Sequence, residues 1–574
     1  MPLSGPDPRL AAATGILQQG RPADALALLA ELIGASPHLA PAHYLRGVAY
    51  RMQGDARGSV DALRTALRLM PQFVEAAVEL ARLLNATGAH RECIEVTTPL
   101  SLAERPPEPL LVERARAFQA MNLQQERLAE RERIARLSPA KAAAHHNLAA
   151  ALGDAGYPER AERSAREALA RNGAAPETWL VLARALQAQH RLDDAEEAFR
   201  QALRCRAGYA PALRDRAQLV WMRTGELERA LAVLDAGAAD LPHADLVALK
   251  ARMFKTADQA RRGYETLVAE GRVSDHAEME LAAADLASGF DPSLALSHAL
   301  RAERLAPASE AAQRQVADSL LAAGRPSETV ERIERLMARH PLDQHLIASR
   351  WLAWRMLGDE RAGQLYDYAT MVAAQTIDTP PGWDDLPHYL SDLASVLRGL
   401  HGFGAHPVDQ SLRHGTQSAT NLLTLDDPVV RAFQRAIARP IREYLAFLGT
   451  GADPLRARNR GGWRIAGMWS VQLRAKGFHL AHVHPMGWIS SACYVDLPAA
   501  IGPDRHDGWI SFGKPGIPTT PPMEAEHRIQ PREGTLVLFP SYMWHGTEPF
   551  AEGGTRLTIA FDLVPDGRDS SGSI

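Results

Sequence analysis

A repeat of 34 residues in the N-terminal half is the feature that most restricts how this 574-residue chain can fold. In the clearest unit the repeated positions are His145, Leu148, Ala149, Leu152, Ala161, Ala165 and Ala168. One period later the same positions hold Trp179, Leu182, Ala183, Leu186, Ala195, Phe199 and Ala202. Small residues at fixed places let paired helices approach closely, and large residues fill the remaining gaps. The period therefore predicts stacked helical units.

The unit resembles the tetratricopeptide repeat, a helix–turn–helix of the same length. Residues 40–73 carry Gly47, Tyr50 and Ala66 at the family positions, and the match weakens from about residue 205 while the helical period continues. We therefore expect an all-α solenoid over residues 8–370, with degenerate later units. Stacked repeats expose one long concave face, which favours binding of a protein or peptide partner. A purely structural array is the alternative.

Composition and charge exclude several other classes of function. The formal net charge of −4 is small for this length, so the balance gives no reason to expect nucleic acid as a partner. No run of about 18 apolar residues predicts a membrane span, and the N-terminus does not have the pattern of a signal peptide. Cys93, Cys205 and Cys493 are widely spaced and form no zinc pattern, which indicates reduced thiols in the cytoplasm.

The helical periodicity of the sequence ends near residue 376, where a Pro/Gly-rich break suggests a domain boundary. Two helical stretches follow, and from residue 462 short apolar segments alternate with Gly/Pro turns. The predicted helices are 389–400 and 428–448, and the predicted strands are 463–473, 489–495, 535–539 and 557–561. This pattern favours a β-sandwich or jelly-roll barrel with flanking helices over residues 385–566. Residues 567–574 read as a flexible tail.

Three histidines in this second region form a candidate metal site. Residues i and i+2 of a strand point to the same face, so His482 and His484 can aim at one point. A distant strand can bring His545 to the same point. Further along the chain, Arg556 offers a permanently charged fork for a carboxylate, and Thr558 lies on the same strand face.

Several segments in this region also resemble a known family. They are His482–x–His484–Pro, together with residues 409–417, 487–495, 508–513, 538–545 and 556–558. These segments look like those of the 2-oxoglutarate/Fe(II) oxygenases that are fused to tetratricopeptide repeats in bacteria. The resemblance implies a double-stranded β-helix that binds Fe(II), with 2-oxoglutarate and O2 as cosubstrates.

The resemblance also implies roles for individual residues. His482 would be the first iron ligand and His545 the distal one, with no catalytic residue beyond the metal ligands. His484 occupies the place where most such enzymes carry Asp or Glu. It can bind iron as a third imidazole, which we favour. Alternatively it does not bind the iron, and water completes the coordination shell. Arg556 and Thr558 would bind the distal carboxylate of 2-oxoglutarate.

Other residues near these motifs are expected to line the pocket, to pack in the core or to lie on the surface. Trp488, Tyr494 and Trp544 are candidates for the pocket wall, with plain core packing as the alternative for such aromatic residues. His479 and His506 are expected to be loop or surface residues. Cys493 sits in an apolar run and is expected to be a buried thiol.

Three hypotheses for function remain open at this stage. The first is an Fe(II)- and 2-oxoglutarate-dependent dioxygenase that hydroxylates a protein or peptide captured by the solenoid. The second is a cupin-like oxygenase with a three-histidine iron site and no 2-oxoglutarate. The third is a non-catalytic scaffold in which the repeats bind a partner and the barrel is a folded module.

Overall fold

The computed structural model describes residues 7–121, 123–269, 273, 276–503, 505–551 and 553–566. The backbone divides into two compact units, Met1–Gln189 and His190–Ile574. The tail predicted at residues 567–574 lies outside the described residues. No helix in the described segments is both long and apolar enough to cross a membrane.

The first unit is an array of paired antiparallel helices. Its helices are α1 (Pro8–Gln18), α2 (Pro22–Ala35), α3 (Ala40–Met52), α4 (Ala56–Leu69), α5 (Val74–Ala86), α6 (His90–Ser101), α7 (Glu108–Ala120), α8 (Gln124–Leu137), α9 (Ala142–Asp154), α10 (Pro158–Arg171) and α11 (Pro176–Ala188). In the pairs α1–α2, α3–α4 and α5–α6 the turn contains a left-handed residue, a conformation that glycine adopts without steric cost. Glycines with positive φ accordingly recur at one-repeat spacing, at Gly20, Gly54 and Gly88. The period in the sequence is thus the period of a turn.

The close approach of paired helices explains why small residues recur in the repeat. A Cβ atom added to Gly47 would lie 2.7 Å from a side-chain carbon of Leu63. Ser59, on the opposite helix, is fully buried and donates a hydrogen bond of 2.7 Å to the carbonyl of Gly47. Any larger side chain at Gly47 would push α3 away from α4.

The helical array continues through the first part of the second unit. Its helices are α12 (Leu192–Cys205), α13 (Ala210–Thr224), α14 (Leu227–Asp235), α15 (His243–Thr256), α16 (Ala260–Ala269), α17 (Ala277–Ala287), α18 (Pro292–Leu305), α19 (Glu310–Ala322), α20 (Pro326–Met337), α21 (Gln344–Leu357), α22 (Arg361–Leu365) and α23 (Tyr368–Met371). The odd-numbered helices from α13 to α21 contact one another in succession as well as their sequence neighbours. They therefore form one layer of a two-layered solenoid.

The rest of the second unit is built on two antiparallel sheets. Its elements are β1 (Ala373–Thr376), α24 (Leu386–Arg398), β2 (Leu412–Gln417), α25 (Pro428–Leu448), β3 (Trp463–His479), β4 (Ile489–Asp496), β5 (Ile510–Phe512), β6 (His527–Ile529), β7 (Thr535–Pro540), β8 (His545–Thr547) and β9 (Arg556–Pro565). One sheet has the strand order β1-β7-β4-β9-β3-β2, and the other has the order β6-β5-β8. The predicted fold class, a helical-repeat solenoid followed by a jelly-roll with flanking helices, is confirmed.

Some elements differ in detail from the expectations. Strand β1 lies in the segment that joins the two predicted domains, and it pairs with β7 in the larger sheet. Strand β2 comes from a polar stretch without a clear period, yet Leu412 is fully buried. The predicted helices appear as α24 and α25. The domain boundaries themselves stay a prediction.

The last turns of the solenoid contact the chain just before β8. The Tyr366 hydroxyl donates to the carbonyl of Tyr542 at 2.6 Å and accepts from the backbone N–H of Trp544 at 2.9 Å. The ring of Tyr366 stacks on Trp351 of α21, with ring centroids 3.8 Å apart. The start of β8 is therefore fixed in place by buried groups of the solenoid.

Candidate metal centre and its cavity

The three candidate histidines converge on one point. His545 is the first residue of β8, and His482 pairs with it in an isolated antiparallel bridge. One nitrogen from each of His482, His484 and His545 lies within 4.8 Å of the others. The expectation that His482 and His484 lie on a regular strand is wrong, because β3 ends at His479. Their side chains nevertheless meet, because the backbone N–H of His484 is bonded to the carbonyl of Ser541 at 2.9 Å.

Backbone carbonyls set the tautomers of two of these imidazoles. Nδ1 of His482 lies 2.8 Å from the carbonyl of Leu480, and Nδ1 of His545 lies 2.9 Å from the carbonyl of Met543. A carbonyl oxygen can only accept, so Nδ1 carries the proton in both rings. In the neutral imidazole this leaves the lone pair on Nε2. Both rings therefore present a ligating nitrogen.

A carboxylate does the same for the third imidazole. Nδ1 of His484 lies 2.6 Å from Oδ1 of Asp562, and that oxygen also accepts a 2.7 Å bond from the Ser490 hydroxyl. The Nε2 atoms of His484 and His482 then lie 3.2 Å apart. Two lone pairs at this distance repel unless a cation lies between them. Imidazole–metal bonds of about 2.0–2.1 Å at a right angle would place the two nitrogens about 2.9 Å apart, close to the observed distance, so the donor set fits a metal ion.

Burial keeps the imidazoles of His482 and His545 neutral. Desolvation lowers the pKa of His482 to about 3, and the nearby His484 adds to the effect. The pKa of His545 is held well below its usual value by burial first, and then by His482 and His484. Metal ligation requires the deprotonated ring, so these imidazoles are ready to bind at neutral pH without losing a proton.

Arg556 is a buried cation beside the three histidines. Arg556 is only 2% exposed, and burial lowers the pKa of its guanidinium. The guanidinium carbon lies 5.0 Å from the ring centroid of Tyr494, and Nε has no hydrogen-bond partner. Among the described residues no carboxylate pairs with Arg556. A buried cation without a counter-charge is costly, which indicates that an anionic ligand completes this site.

The histidines and Arg556 line one cavity of about 510 Å³. Strand β9 contributes alternate residues to its wall, as a strand must when one face borders the cavity. Those residues are Arg556, Thr558, Ala560 and Asp562. The Thr558 hydroxyl donates a long bond of 3.4 Å to the carbonyl of Val471, and its oxygen keeps accepting capacity.

The aromatic residues expected at the wall do not line this cavity. Trp488 points away and donates from Nε1 to the carbonyl of Leu455 at 2.9 Å. Trp544 donates to the carbonyl of Ala348 at 3.4 Å, and Tyr494 lies fully buried beside Arg556. Trp488 and Tyr494 pack as core side chains, whereas Trp544 borders a neighbouring, smaller cavity. Trp469 and Phe539 supply the aromatic wall instead.

Several cavity residues were missed at the sequence level. His479 was expected on the surface or in a loop, but it ends β3, is half-buried and lines the cavity. The Ser411 hydroxyl lies 3.0 Å from Nδ1 of His479 and 3.3 Å from Nε2 of His482. Asp562 had a usable signal, since extending the alternation of Arg556 and Thr558 along β9 reaches it. Ser411 had none, because its segment shows no period. His506 is exposed, as expected.

The comparison with protein families identifies the domain. Residues 467–562 match the family model described as "Putative 2OG-Fe(II) oxygenase". A domain of this family therefore lies in the C-terminal part of the chain and includes the three histidines and Arg556. The family implies Fe(II), 2-oxoglutarate and O2. A comparison with curated proteins found no match.

Solved structures similar to the chain cover its helical repeats. A tetratricopeptide repeat protein from Parabacteroides merdae is 15% identical and covers 48% of this chain and 97% of its own, with a TM-score of 0.35. Yeast Tom70 is 13% identical and covers 63% and 91%, with a TM-score of 0.32. YrrB, described as a TPR protein with an unusual peptide-binding site, is 11% identical and covers 33% and 97%, with a TM-score of 0.31. These values are too low to transfer any property to this chain.

Proposed function

We propose that this protein is an Fe(II)- and 2-oxoglutarate-dependent dioxygenase that hydroxylates a protein or peptide bound by its repeats. The main support is that three imidazole nitrogens and an uncompensated buried guanidinium share one cavity. In the reaction, a substrate C–H, O2 and 2-oxoglutarate become C–OH, succinate and CO2. One oxygen atom enters the substrate and the other enters succinate.

The roles of the residues follow from their contacts. His482, His484 and His545 would bind the iron through Nε2, since each Nδ1 is engaged with an oxygen acceptor. Bound iron with 2-oxoglutarate supplies the oxidising chemistry, as the cofactor does in such enzymes. Arg556 would bind the distal carboxylate of 2-oxoglutarate in two parallel bonds, with the Thr558 hydroxyl beside it.

The cavity wall would keep bulk water away from the reacting atoms. Trp469, Val471 and Phe539 line it, and Val471 and Phe539 are almost fully buried. An apolar wall strengthens the pairing of Arg556 with an anion, because electrostatic attraction grows as water is excluded.

An anaerobic titration tests this proposal. Fe(II) and then 2-oxoglutarate are added to the purified protein while the visible charge-transfer band of the chelate is followed. We expect one iron per chain and a band that saturates with 2-oxoglutarate. His545→Ala should lose the iron, and Arg556→Ala should keep iron but need far more 2-oxoglutarate. The exposed His506 and Arg505 provide the matched controls His506→Ala and Arg505→Ala.

One observation favours a second candidate function. The candidate metal cluster among the described residues contains three histidines and no carboxylate, which is the ligand set expected of a cupin-like oxygenase that uses O2 without 2-oxoglutarate. The same titration separates the two, since iron binding without a 2-oxoglutarate band would favour the second. Protein that binds neither iron nor 2-oxoglutarate would instead be a repeat scaffold.

A further inference from the structure

A second cavity of about 290 Å³ adjoins the metal-site cavity. His482, Val483 and Pro485 line both cavities, so they form a shared wall. The first of these three is a candidate iron ligand. A group bound in the second cavity would therefore contact His482 and lie next to the candidate metal centre.

The opposite wall of the second cavity comes from the solenoid. Its residues belong to α15, α17, α19 and α21, the successive helices of one layer, together with Ser288, which caps the C-terminus of α17. Contacts run from repeat to repeat: Lys255 pairs with Asp285, and His345 lies 2.8 Å from Asp318. A surface built from the same layer of successive repeats extends along the array. It is suited to an elongated ligand rather than to a compact one.

The barrel side of this cavity is closed by a tight loop. A Cβ atom on Gly516 would lie 2.2 Å from the carbonyl oxygen of Ala481 and 2.8 Å from the ring of Trp544. The loop can therefore approach only because residue 516 is glycine. Trp544 in turn meets His345 edge to face, with ring centroids 6.0 Å apart. Solenoid and barrel together form one continuous cavity lining.

The charges of the lining are already balanced internally. Both carboxylates, Asp285 and Asp318, have basic partners within the cavity wall. The groups left to bind a ligand are neutral, chiefly the hydroxyl of Ser288 and the carboxamide of Gln315. The Ser288 hydroxyl already donates to the carbonyl of Asp285 at 2.7 Å and keeps accepting capacity, while the Gln315 carboxamide donates only a long bond of 3.4 Å to the Ser319 hydroxyl. These groups match peptide backbone and uncharged polar side chains, because Ser288 can accept and the carboxamide can both donate and accept. The cavity volume lies just below the range of about 300–1,000 Å³ that is typical of ligand pockets, which suits one side chain and its backbone.

We propose that an extended polypeptide segment binds in this second cavity, along α17, α19 and α21, and delivers a short uncharged side chain to the metal centre. The proposal rests on the proposed dioxygenase function and names the route by which its substrate arrives. The peptide backbone would bond to Ser288 and Gln315. Because His482, Val483 and Pro485 line both cavities, the delivered side chain would reach the metal centre past these residues, while 2-oxoglutarate would be bound at Arg556 in the metal-site cavity.

Substitutions at two glutamines of one helix test the route. Gln315 lines the second cavity, whereas Gln313, on the same helix, bonds to the carbonyl of Pro307 at 2.7 Å and to Arg339. Gln315→Trp should fill the cavity, and Gln313→Trp is the matched control. Ser288→Tyr fills the cavity from the C-terminal end of α17, in case Gln315→Trp does not fold. Circular dichroism and melting temperature establish folding for each variant.

The probe is a set of twenty heptapeptide pools, each with one fixed central amino acid and random flanking positions. Three quantities are measured: peptide affinity for the metal-free protein, peptide-stimulated succinate release, and a mass gain of one oxygen atom in the peptide. We expect pools with an uncharged central residue to bind and to stimulate succinate release. Gln315→Trp or Ser288→Tyr should lower both effects at least tenfold, whereas Gln313→Trp should change them less than twofold.

The outcomes separate this proposal from the proposed function. If no pool binds, or if the cavity-filling variants bind as well as the wild type, the polypeptide route is overturned. Formation of the iron–2-oxoglutarate complex and peptide-independent succinate release are measured in the same variants. Absence of that complex in the wild type would overturn the dioxygenase function, while the binding ratio of the glutamine variants would still decide the cavity.

Discussion

Oδ1 of Asp562 lies 2.6 Å from Nδ1 of His484, and this pair supplies the site with a carboxylate that does not reach the metal position itself. The usual oxygenase site has two imidazoles and one carboxylate around the iron. Here the carboxylate of Asp562 is not one of the candidate ligands; it is bonded to Nδ1 of the third imidazole, His484. It fixes the ring orientation and the tautomer and makes the ring a stronger donor, as carboxylates bonded to the second nitrogen of a metal-bound histidine do.

Removal of Asp562 should weaken metal binding without removing a ligand. We expect Asp562→Ala to lower the affinity for Fe(II) or Co(II) about 10–100-fold, the range found for such outer partners. Asp562→Asn should lose less, because its amide oxygen can still accept from Nδ1. The measurement is a metal titration under anaerobic conditions. Asp426→Asn, at an exposed surface residue, is the control, and equal affinity in all variants would contradict the role.

The position of His484 allows a sharper, paired prediction. His484→Asp places a carboxylate where the usual ligand stands, but directly beside Asp562. Two neighbouring carboxylates repel, and one tends to stay protonated. We therefore expect the single variant to bind Fe(II) more weakly than the double variant His484→Asp/Asp562→Asn. A double-mutant cycle on metal affinity measures this, and additive effects would show that the two positions do not interact.

Replacement of Arg556 should stabilise the protein when 2-oxoglutarate is absent and leave it less stable than the wild type when 2-oxoglutarate is present. Its guanidinium is buried without a carboxylate partner among the described residues, so Arg556→Met should raise the melting temperature of the ligand-free protein. A ligand at 100 times its Kd adds about 2.7 kcal/mol to the free energy of unfolding. With saturating 2-oxoglutarate the wild type should gain this stability and overtake the variant. Thermal melts with and without 2-oxoglutarate test the reversal, and Arg505→Met is the control.

The sequence predicted those site residues that lie on one strand, and it did not predict those whose place depends on how the sheets pack. Arg556 and Thr558 could be paired because a strand places alternate residues on one face. The aromatic residues failed as wall candidates because the choice between core and cavity depends on how two sheets pack. Trp488 and Trp469 have similar sequence surroundings, yet only Trp469 borders the cavity. A single sequence carries no signal for that difference.

The repeat region, in contrast, could be predicted from the sequence, because the contacts that hold it together are local. Its fold depends on local pairs such as Gly47 and Leu63, whose spacing repeats along the chain. The long-range contacts between α21 and the strands have no such period. Neither the contact of His345 with Trp544 nor the cavity between solenoid and barrel could therefore be foreseen. The assignment of the protein to the cytoplasm stays a prediction.

Acid should destabilise the protein through a buried histidine outside the metal site. Burial lowers the pKa of His401 to about 4, with His190 and Arg474 adding to the effect, from a usual value of 6.5. Between these values the unfolded chain binds more protons than the folded one, so stability falls as pH drops from about 6.5 to about 4. The loss from this group is bounded at about 3 kcal/mol.

The substitution His401→Gln tests that loss, because Gln cannot titrate and can still bond to Thr416 and Ser470, the present partners of His401. We expect the melting temperature of the variant to fall less than that of the wild type between pH 6.5 and pH 4. His506→Gln, at an exposed position, should follow the wild type. Identical pH profiles for all three proteins would mean that His401 is not the titrating group.

The contact between the solenoid and β8 leads to a prediction about metal binding at a distance. Tyr366→Phe removes the hydroxyl that joins the carbonyl of Tyr542 to the N–H of Trp544, which leaves both buried groups without this partner at a cost of about 1–3 kcal/mol. Because His545 is the next residue, we expect weaker iron binding as well as a lower melting temperature. Tyr368→Phe is the matched control, since the Tyr368 hydroxyl bonds to Glu526 at 2.7 Å and not to the chain before β8. If both variants lose stability but only Tyr366→Phe loses iron affinity, the solenoid helps to position the metal ligand. Equal iron affinity in the two variants would show instead that β8 keeps His545 in place by itself.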